Sequence, residues 1–108
     1  MNKIDSMLGF ASKAGQLILG TAGVEAGLKR GKIALVICAT DLSSKTIKNF
    51  KYLCDVYQVP FYCYGLRSEL GRLVGAPERG VIGVVSKQFA SNLRRLLEDH
   101  FMDRGDGS

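Results

Sequence analysis

The apolar run at residues 33–39 constrains the fold of this chain more than any other segment. It reads IALVICA, is rich in β-branched side chains and contains no charged residue, which is typical of a β-strand buried on both faces. Such a strand needs a covering layer on each side. Shorter apolar segments at residues 17–19, 61–64 and 81–85 are predicted to be the other strands of the same small sheet.

Segments with helical spacing separate these strands along the sequence. Helices are predicted over residues 3–14, from Gly20 or Thr21 to Lys29 or Arg30, from Ser43 or Ser44 towards Pro60, and over residues 68–74 and 88–97. Helices that alternate with buried strands predict an α/β fold, because the helices must enclose the sheet. We expect a three-layer α/β/α sandwich with a central, mostly four-stranded mixed sheet and helices on both faces.

The third of these helices has the clearest division into two faces. Its lysines and one tyrosine are predicted to lie outside or at the margin, at Lys45, Lys48, Lys51 and Tyr52. Its apolar stripe is predicted to face the sheet and consists of Ile47, Phe50, Cys54 and Tyr57.

The charges of the chain divide it into a basic body and an acidic end. The net charge is +5, and residues 1–97 hold 14 of the 15 Lys and Arg residues but only 6 of the 10 Asp and Glu residues. A positive body attracts polyanions such as nucleic acids, although the same charge also serves solubility. We predict a single domain over residues 1–98 and a flexible acidic tail over residues 99–108.

The residue types that carry most enzyme chemistry are sparse. No paired carboxylates and no His, Cys and acid cluster with metal-ligand spacing occur, and His100 is interpreted as a solvated tail residue. We therefore expect no enzyme activity, no metal, no cofactor and no small-molecule substrate. No apolar run approaches the ~20 residues of a membrane span, so no membrane association is expected.

The cysteines indicate a reducing compartment. They number three, show no Cys-x-x-Cys spacing and lie in apolar surroundings, at Cys38, Cys54 and Cys63. We predict that they are buried reduced thiols, and Lys3 and Asp5 interrupt the place where a signal peptide would become apolar. The expected location is the cytoplasm.

Two glycine-rich segments are candidates for function. The first, GTAGVEAGLKRG at residues 20–31, places Gly23 and Gly27 inside a helix, where each costs ~1 kcal/mol relative to alanine. Two explanations are open: the glycines allow close packing, or they leave the N–H groups of the helix start accessible to a phosphate or a base. The second segment, LGRLVGAPERG at residues 70–80, is a helix end, a short loop and a strand entry. Neither has the spacing of a nucleotide-binding loop.

Three segments together, SKAGQLILGTAGVEAGLKRGKIALVICATD, YLCDVYQVPFYCYGLRSELGRLVGAPER and GVIGVV, resemble the ribosomal protein superfamily that binds kink-turn RNA. The superfamily includes the archaeal large-subunit protein L7Ae and small bacterial proteins. The resemblance covers about residues 5–97, and the length and the Lys13-Ala14-Gly15 opening are most similar to the bacterial branch. Its most specific parts are Lys29-Arg30-Gly31, Asp41, Val59-Pro60, and Leu70-Gly71-Arg72 with Gly75.

The resemblance implies a binding site for structured RNA such as ribosomal RNA. In this family the start of the second helix enters the kinked RNA, and the loop before the last strand covers a flipped-out nucleotide. The implied RNA-binding residues are Gly20, Thr21, Ala22, Gly23, Ala26, Lys29, Arg30, Lys32, Ala76, Pro77, Glu78 and Arg79.

This sequence departs from the family at three of those positions. Family members have polar side chains that read sheared G·A pairs where this chain has Ala22 and Gly23, and a lysine where it has Ala26. Two hypotheses follow. The first is a monomeric, non-catalytic, ribosome-associated protein that binds kink-turn-like RNA with weakened base readout. The alternative is a protein-interaction or self-association module on the same fold, which uses the smooth helix face.

Overall fold

Helices and strands alternate along the chain in the predicted order. A computed structural model describes the backbone of residues 2–106 and the side chains of residues 2–102. Residues 2–106 form the elements α1 Lys3–Lys13, β1 Leu17–Leu19, α2 Thr21–Lys29, β2 Leu35–Cys38, α3 Ser44–Val56, β3 Phe61–Cys63, α4 Arg67–Leu73, β4 Val81–Val84 and α5 Lys87–Asp106.

The four strands form one mixed sheet in the order β1-β4-β2-β3. Strand β4 is antiparallel to both of its neighbours, with Gly83 opposite Ile18 on one side and Val36 on the other, whereas β2 and β3 are parallel. Strands β1, β2 and β3 therefore run in one direction and β4 runs in the other. Every residue of the two central strands, β2 and β4, is buried, which confirms the prediction made from the apolar run.

Helices cover both faces of this sheet, so the predicted α/β/α sandwich is confirmed. Val24 and Leu28 of α2 and Phe50 of α3 pack on one face around Val36. On the other face, α1, α4 and α5 supply the buried side chains Ile4, Leu8, Leu70, Leu93 and Leu97.

The inward stripe of α3 is partly as predicted. Phe50 and Cys54 are buried and Ile47 is half-buried, but Tyr57 is 40% exposed, so the prediction for Tyr57 is wrong. Tyr57 is the C-cap residue, where the backbone leaves the helix and its side chain no longer continues the stripe. Tyr52 is 65% exposed, as predicted.

The last helix is longer than predicted. Its end was expected near Leu97, but α5 continues to Asp106, and the boundary at residue 98 falls inside it. Residues 99–106, predicted as a frayed tail, are therefore helical. Residues 107–108 lie outside the described part of the chain.

Aromatic contacts account for the first turn of this extension. The ring of His100 meets Tyr64 edge-on with a centroid distance of 5.5 Å, and Phe101 stacks on Tyr62 at 6.3 Å. His100 is thus half-buried, and its interpretation as a solvated residue is wrong. Tertiary packing of this kind stabilises helical turns beyond their local propensity.

The cysteines are free thiols, as predicted. Cys38 and Cys54 are buried as predicted, whereas Cys63 is only half-buried. Burial raises the pKa of Cys38 and of Cys54 to about 12, which keeps both thiols protonated and unreactive near neutral pH.

Within residues 2–106, no helix combines the length and apolar character required to cross a bilayer.

Candidate nucleic-acid interface

Four of the loops that connect helices and strands lie at one edge of the sheet, where the strands begin or end. The carboxyl ends of β1, β2 and β3 and the amino end of β4 meet there, because β4 runs against the other three. The start of α2 therefore lies at the same edge as residues 39–43, 64–66 and 74–80. We call this the loop edge.

The start of α2 presents backbone donors at the loop edge. Gly20 has a φ of +94°, a conformation suited to glycine, and its N–H donates to the carbonyl of Val81 at 2.9 Å. No side chain caps the helix, and the first intrahelical bond is accepted by the Gly20 carbonyl. The N–H groups of Thr21, Ala22 and Gly23 lie before the donor of this bond, so they have no acceptor within the helix.

The glycines inside α2 are explained by close packing. A Cβ on Gly27 would lie 2.9 Å from Ile33, and one on Gly23 would lie 3.0 Å from Ile18. The packing explanation therefore holds for Gly27, which is buried. It also applies to Gly23, but Gly23 is half-exposed and lies in the first turn, where its small size leaves the N–H groups uncovered.

The loop before β4 forms the second side of the loop edge, and Gly71 of α4 holds it in place. A Cβ on Gly71 would lie 2.7 Å from the Cα of Glu78 and 2.8 Å from the carbonyl oxygen of Ala76. The Ala76 N–H donates to the Gly71 carbonyl at 2.8 Å. Only glycine permits this close approach of the loop to the helix. Pro77 and Glu78 are exposed beside it.

Two further residues at the loop edge were not predicted as site residues. Arg67 donates its backbone N–H to the Asp41 carboxylate at 2.9 Å, and its guanidinium pairs with the same carboxylate at 3.4 Å. The bond from the Arg67 N–H is the main cause that lowers the pKa of Asp41. Arg79 in turn donates its N–H to the Arg67 carbonyl. No local sequence signal identifies this pair, because its geometry depends on β2 and β3 being parallel neighbours in the sheet.

Apart from Arg79 in the loop before β4, the predicted basic residues lie at the opposite end of α2. Lys29, Arg30 and Lys32 are exposed, and Lys29 pairs with Glu25 at 3.3 Å. Lys29, the last residue of α2, lies about 12 Å from Thr21 at 1.5 Å per residue. The predicted site residues thus form two groups rather than one. An exposed stripe that runs along one face of α2 joins the groups and consists of Ala22, Ala26, Lys29 and Arg30.

The chemistry of this surface favours binding rather than reaction. Backbone donors, the positive end of a helix dipole and nearby arginines suit anions. Among the described side chains, no group of three or more His, Cys, Asp or Glu residues has the geometry of a metal site.

Comparison with known proteins agrees with this geometry. Residues 2–93 match the Ribosomal protein L7Ae/L30e/S12e/Gadd45 family. The chain belongs to this family. The resemblance noted in the sequence is therefore confirmed over nearly the whole chain.

Two relatives and one solved structure show where the chain lies within the L7Ae family. It is 32% identical to an "RNA-binding protein YlxQ" of Enterococcus faecium, over 89% of this chain and 92% of that protein. It is 30% identical to a "Large ribosomal subunit protein eL30" of Methanopyrus kandleri, over 92% and 95% of the two chains. A solved Bacillus halodurans C protein, described as having unknown function, superposes with a TM-score of 0.89 at 37% identity, covering 91% of this chain and 99% of its own.

Proposed function

We propose that this protein is a non-catalytic, ribosome-associated RNA-binding protein that recognises kink-turn-like RNA at the loop edge. The observation that carries the proposal is the bond from the Gly20 N–H to the Val81 carbonyl. This bond fixes the start of α2 beside residues 76–80, the two segments that the family uses to hold a kinked RNA.

Recognition at the helix start relies on the backbone. Thr21, Ala22 and Gly23 offer N–H groups to phosphate oxygens and sugar hydroxyls of a bent RNA, whose shape brings those groups within reach. Ala22, Gly23 and Ala26 offer no polar side chain to a base. Since a good bidentate base contact contributes about 1–3 kcal/mol of discrimination, the protein distinguishes bent from straight RNA better than one base from another.

The basic end of α2 supplies affinity without sequence preference. In this proposal, Lys29, Arg30 and Lys32 contact phosphates of the helical arm next to the kink. Each phosphate neutralised releases counterions, so binding weakens steeply as salt is added.

A ribosomal RNA partner is supported by the names of the relatives, one an RNA-binding protein and the other a ribosomal subunit protein. The protein acts as a monomer in this proposal. The free thiols Cys38, Cys54 and Cys63 fit a reducing cytoplasm.

Calorimetric titration tests the proposal. A kink-turn duplex and a straight duplex of equal length are titrated at the same salt concentration, with wild-type protein and with Arg30→Ala. We expect tighter binding of the kink-turn duplex, and a loss of affinity for both duplexes in the variant. Equal affinity of the wild type for the two duplexes would refute recognition of shape.

The alternative, a self-association or protein-interaction module, predicts different results. Sedimentation at several concentrations would show a dimer, and partners pulled down from lysate would persist after ribonuclease treatment. A monomer whose partners disappear with the RNA supports the RNA-binding proposal instead.

A further inference from the structure

Helix α3 presents a row of exposed lysines that the proposed kink-turn site does not use. Lys45, Lys48 and Lys51 are all exposed and recur at spacings of three residues, which places them as neighbours on consecutive turns. Among the described side chains, none of the three forms an ion pair. Asp55, in the last turn, is the only acidic residue of α3, so the helix has a net positive surface.

An aromatic groove adjoins the lysines. It has a volume of about 600 Å³ and lies between α3 and β3, the edge strand of the sheet. Tyr52 is 65% exposed on its rim, and Phe61 of β3 is half-buried within it. The remaining residues that line the groove are Lys48, Lys51, Cys54, Asp55 and Val59.

The lysine row is continuous with the loop edge. Helix α3 starts immediately after residues 39–43, and its N-cap, Ser43, accepts a hydrogen bond from the Thr46 N–H. Lys45 therefore lies in the first turn beside the loop edge, and Lys51 lies about 9 Å further along the helix at 1.5 Å per residue. The row leads away from the proposed kink-turn site.

We propose that the groove between α3 and β3 binds a single-stranded RNA segment, with a base stacked on Tyr52 and phosphates held by Lys48 and Lys51. Cations beside an exposed aromatic ring provide both contacts that single strands need, and neither contact depends on the base sequence. This is a second site, distinct from the kink-turn site.

The short edge strand and the exposed aromatic ring favour RNA over an extended peptide as the occupant. A peptide that adds to an edge strand gains its affinity from main-chain hydrogen bonds, but β3 offers only Phe61–Cys63. Such a peptide would also leave the exposed Tyr52 ring without a role.

Fluorescence anisotropy with a ten-nucleotide oligouridine tests the proposal directly. The double variant Lys48→Glu/Lys51→Glu is expected to weaken binding by at least about tenfold, because two phosphate contacts become repulsive. Tyr52→Ala is expected to weaken it by about fivefold through loss of stacking. The matched control, Lys3→Glu/Lys13→Glu, makes the same charge change on α1 at the opposite face of the sheet and is expected to stay within about twofold of wild type.

Several results would overturn the proposal. They are failure of the wild-type protein to bind oligouridine, an equal loss of affinity in the α1 control, and tighter binding of a ten-residue polyglutamate peptide that is insensitive to Tyr52→Ala. The last result would assign the groove to an acidic protein segment. All substituted residues are exposed, and thermal melting of each variant verifies that it is folded.

A kink-turn duplex without single-stranded ends separates this proposal from the kink-turn proposal. The α3 variants are expected to bind that duplex within about twofold of wild type, whether its affinity is high or low. An equal loss of affinity for the duplex and for oligouridine would show that the lysines attract any RNA by charge alone. This result would contradict a single-strand site.

Discussion

The two ends of helix α2 differ in the chemistry that they offer to RNA. At its start, Thr21, Ala22 and Gly23 present backbone donors, and of the three only Thr21 has a polar side chain. At its far end, Lys29 and Arg30 present exposed charges on long flexible side chains. The helix dipole adds positive potential only at the start.

The difference between the two ends shows how a helix can offer contacts for the shape and charge of RNA without contacts for its bases. Rigid backbone donors respond to the shape of a phosphate backbone, whereas flexible cations attract any phosphate. In the proposed function, the absence of polar side chains at Ala22 and Ala26 removes base readout and leaves the contributions of shape and charge in place. Substitutions at each end separate the two contributions.

Alteration of Gly71 is expected to have the largest effect, because it moves the loop that faces the helix start. In Gly71→Ala the new Cβ meets the backbone of residues 76–78 at under 3 Å, so the loop must shift. The free energy of unfolding should fall by about 1–3 kcal/mol, and kink-turn affinity should fall by about tenfold or more, since one side of the site is displaced. Chemical denaturation and calorimetry measure the two quantities.

The matched control for this change is Gly9→Ala in α1. A Cβ there has its nearest neighbour, the Leu73 carbonyl oxygen, at 3.8 Å, which is an ordinary contact. This control should stabilise the protein by about 0.5–1 kcal/mol and leave RNA binding unchanged. Similar stabilisation by both substitutions would show that the loop does not depend on Gly71.

Introduction of polar side chains at the helix start should sharpen the comparison. Ala22→Asn/Ala26→Lys places side chains on exposed positions that face the RNA in this proposal. Kink-turn affinity should rise by about tenfold, since new base contacts are each worth about 1–3 kcal/mol. Straight-duplex affinity should rise far less. Ala14→Lys, which adds the same charge away from the loop edge, is the control, and an equal gain from it would assign the effect to charge alone.

Removal of charge at the far end of α2 should affect bent and straight RNA alike. Arg30→Ala/Lys32→Ala is expected to weaken both complexes by several-fold and to reduce the slope of log affinity against log salt by about 0.9 for each duplex phosphate that is no longer neutralised. Arg95→Ala, on an exposed position of α5, should change neither quantity. A selective decrease in kink-turn affinity would mean that the far end takes part in shape recognition.

The smallest effect is expected from Asp41, which holds the connection between β3 and α4. Its pKa is lowered from 3.8, chiefly by the Arg67 N–H bond, so its charged form stabilises the fold above that pH, and the contribution disappears as pH falls through the lowered value. Asp41→Asn should therefore melt slightly below wild type at pH 7, and the difference should vanish in strong acid. If the difference in melting temperature between Asp41→Asn and wild type is the same in acid, the role of the carboxylate charge is contradicted. Asp55→Asn is the control.

The sequence was sufficient for the strands and for most of the helices, because burial on both faces leaves a local signal. Strand β1 occupies residues 17–19 as predicted, and the apolar run contains β2. The end of α5 and the exposure of Tyr57 were missed. The continuation of α5 past Leu97 involves the contact of His100 with Tyr64, which joins residues far apart in sequence and which helical spacing does not encode.

The candidate site was predictable only in part for the same reason. The helix start and the loop before β4 were identified through family resemblance and glycine content. Arg67 was missed because its hydrogen bond to Asp41 requires β2 and β3 to be parallel neighbours, and strand order does not follow from hydrophobic periodicity. The role of Gly71 could not be predicted because it depends on how closely the backbone of residues 76–78 approaches α4.

Amide chemical shifts of isotope-labelled protein test the central claim most directly. Kink-turn RNA should shift the amide signals of Thr21, Ala22 and Gly23, while a straight duplex of equal length should leave them in place. Both RNAs should shift the signals around Lys29 and Arg30. If the signals of the helix start do not move with kink-turn RNA, or move equally with both duplexes, the division of α2 into a shape-reading start and a charge-bearing end is contradicted.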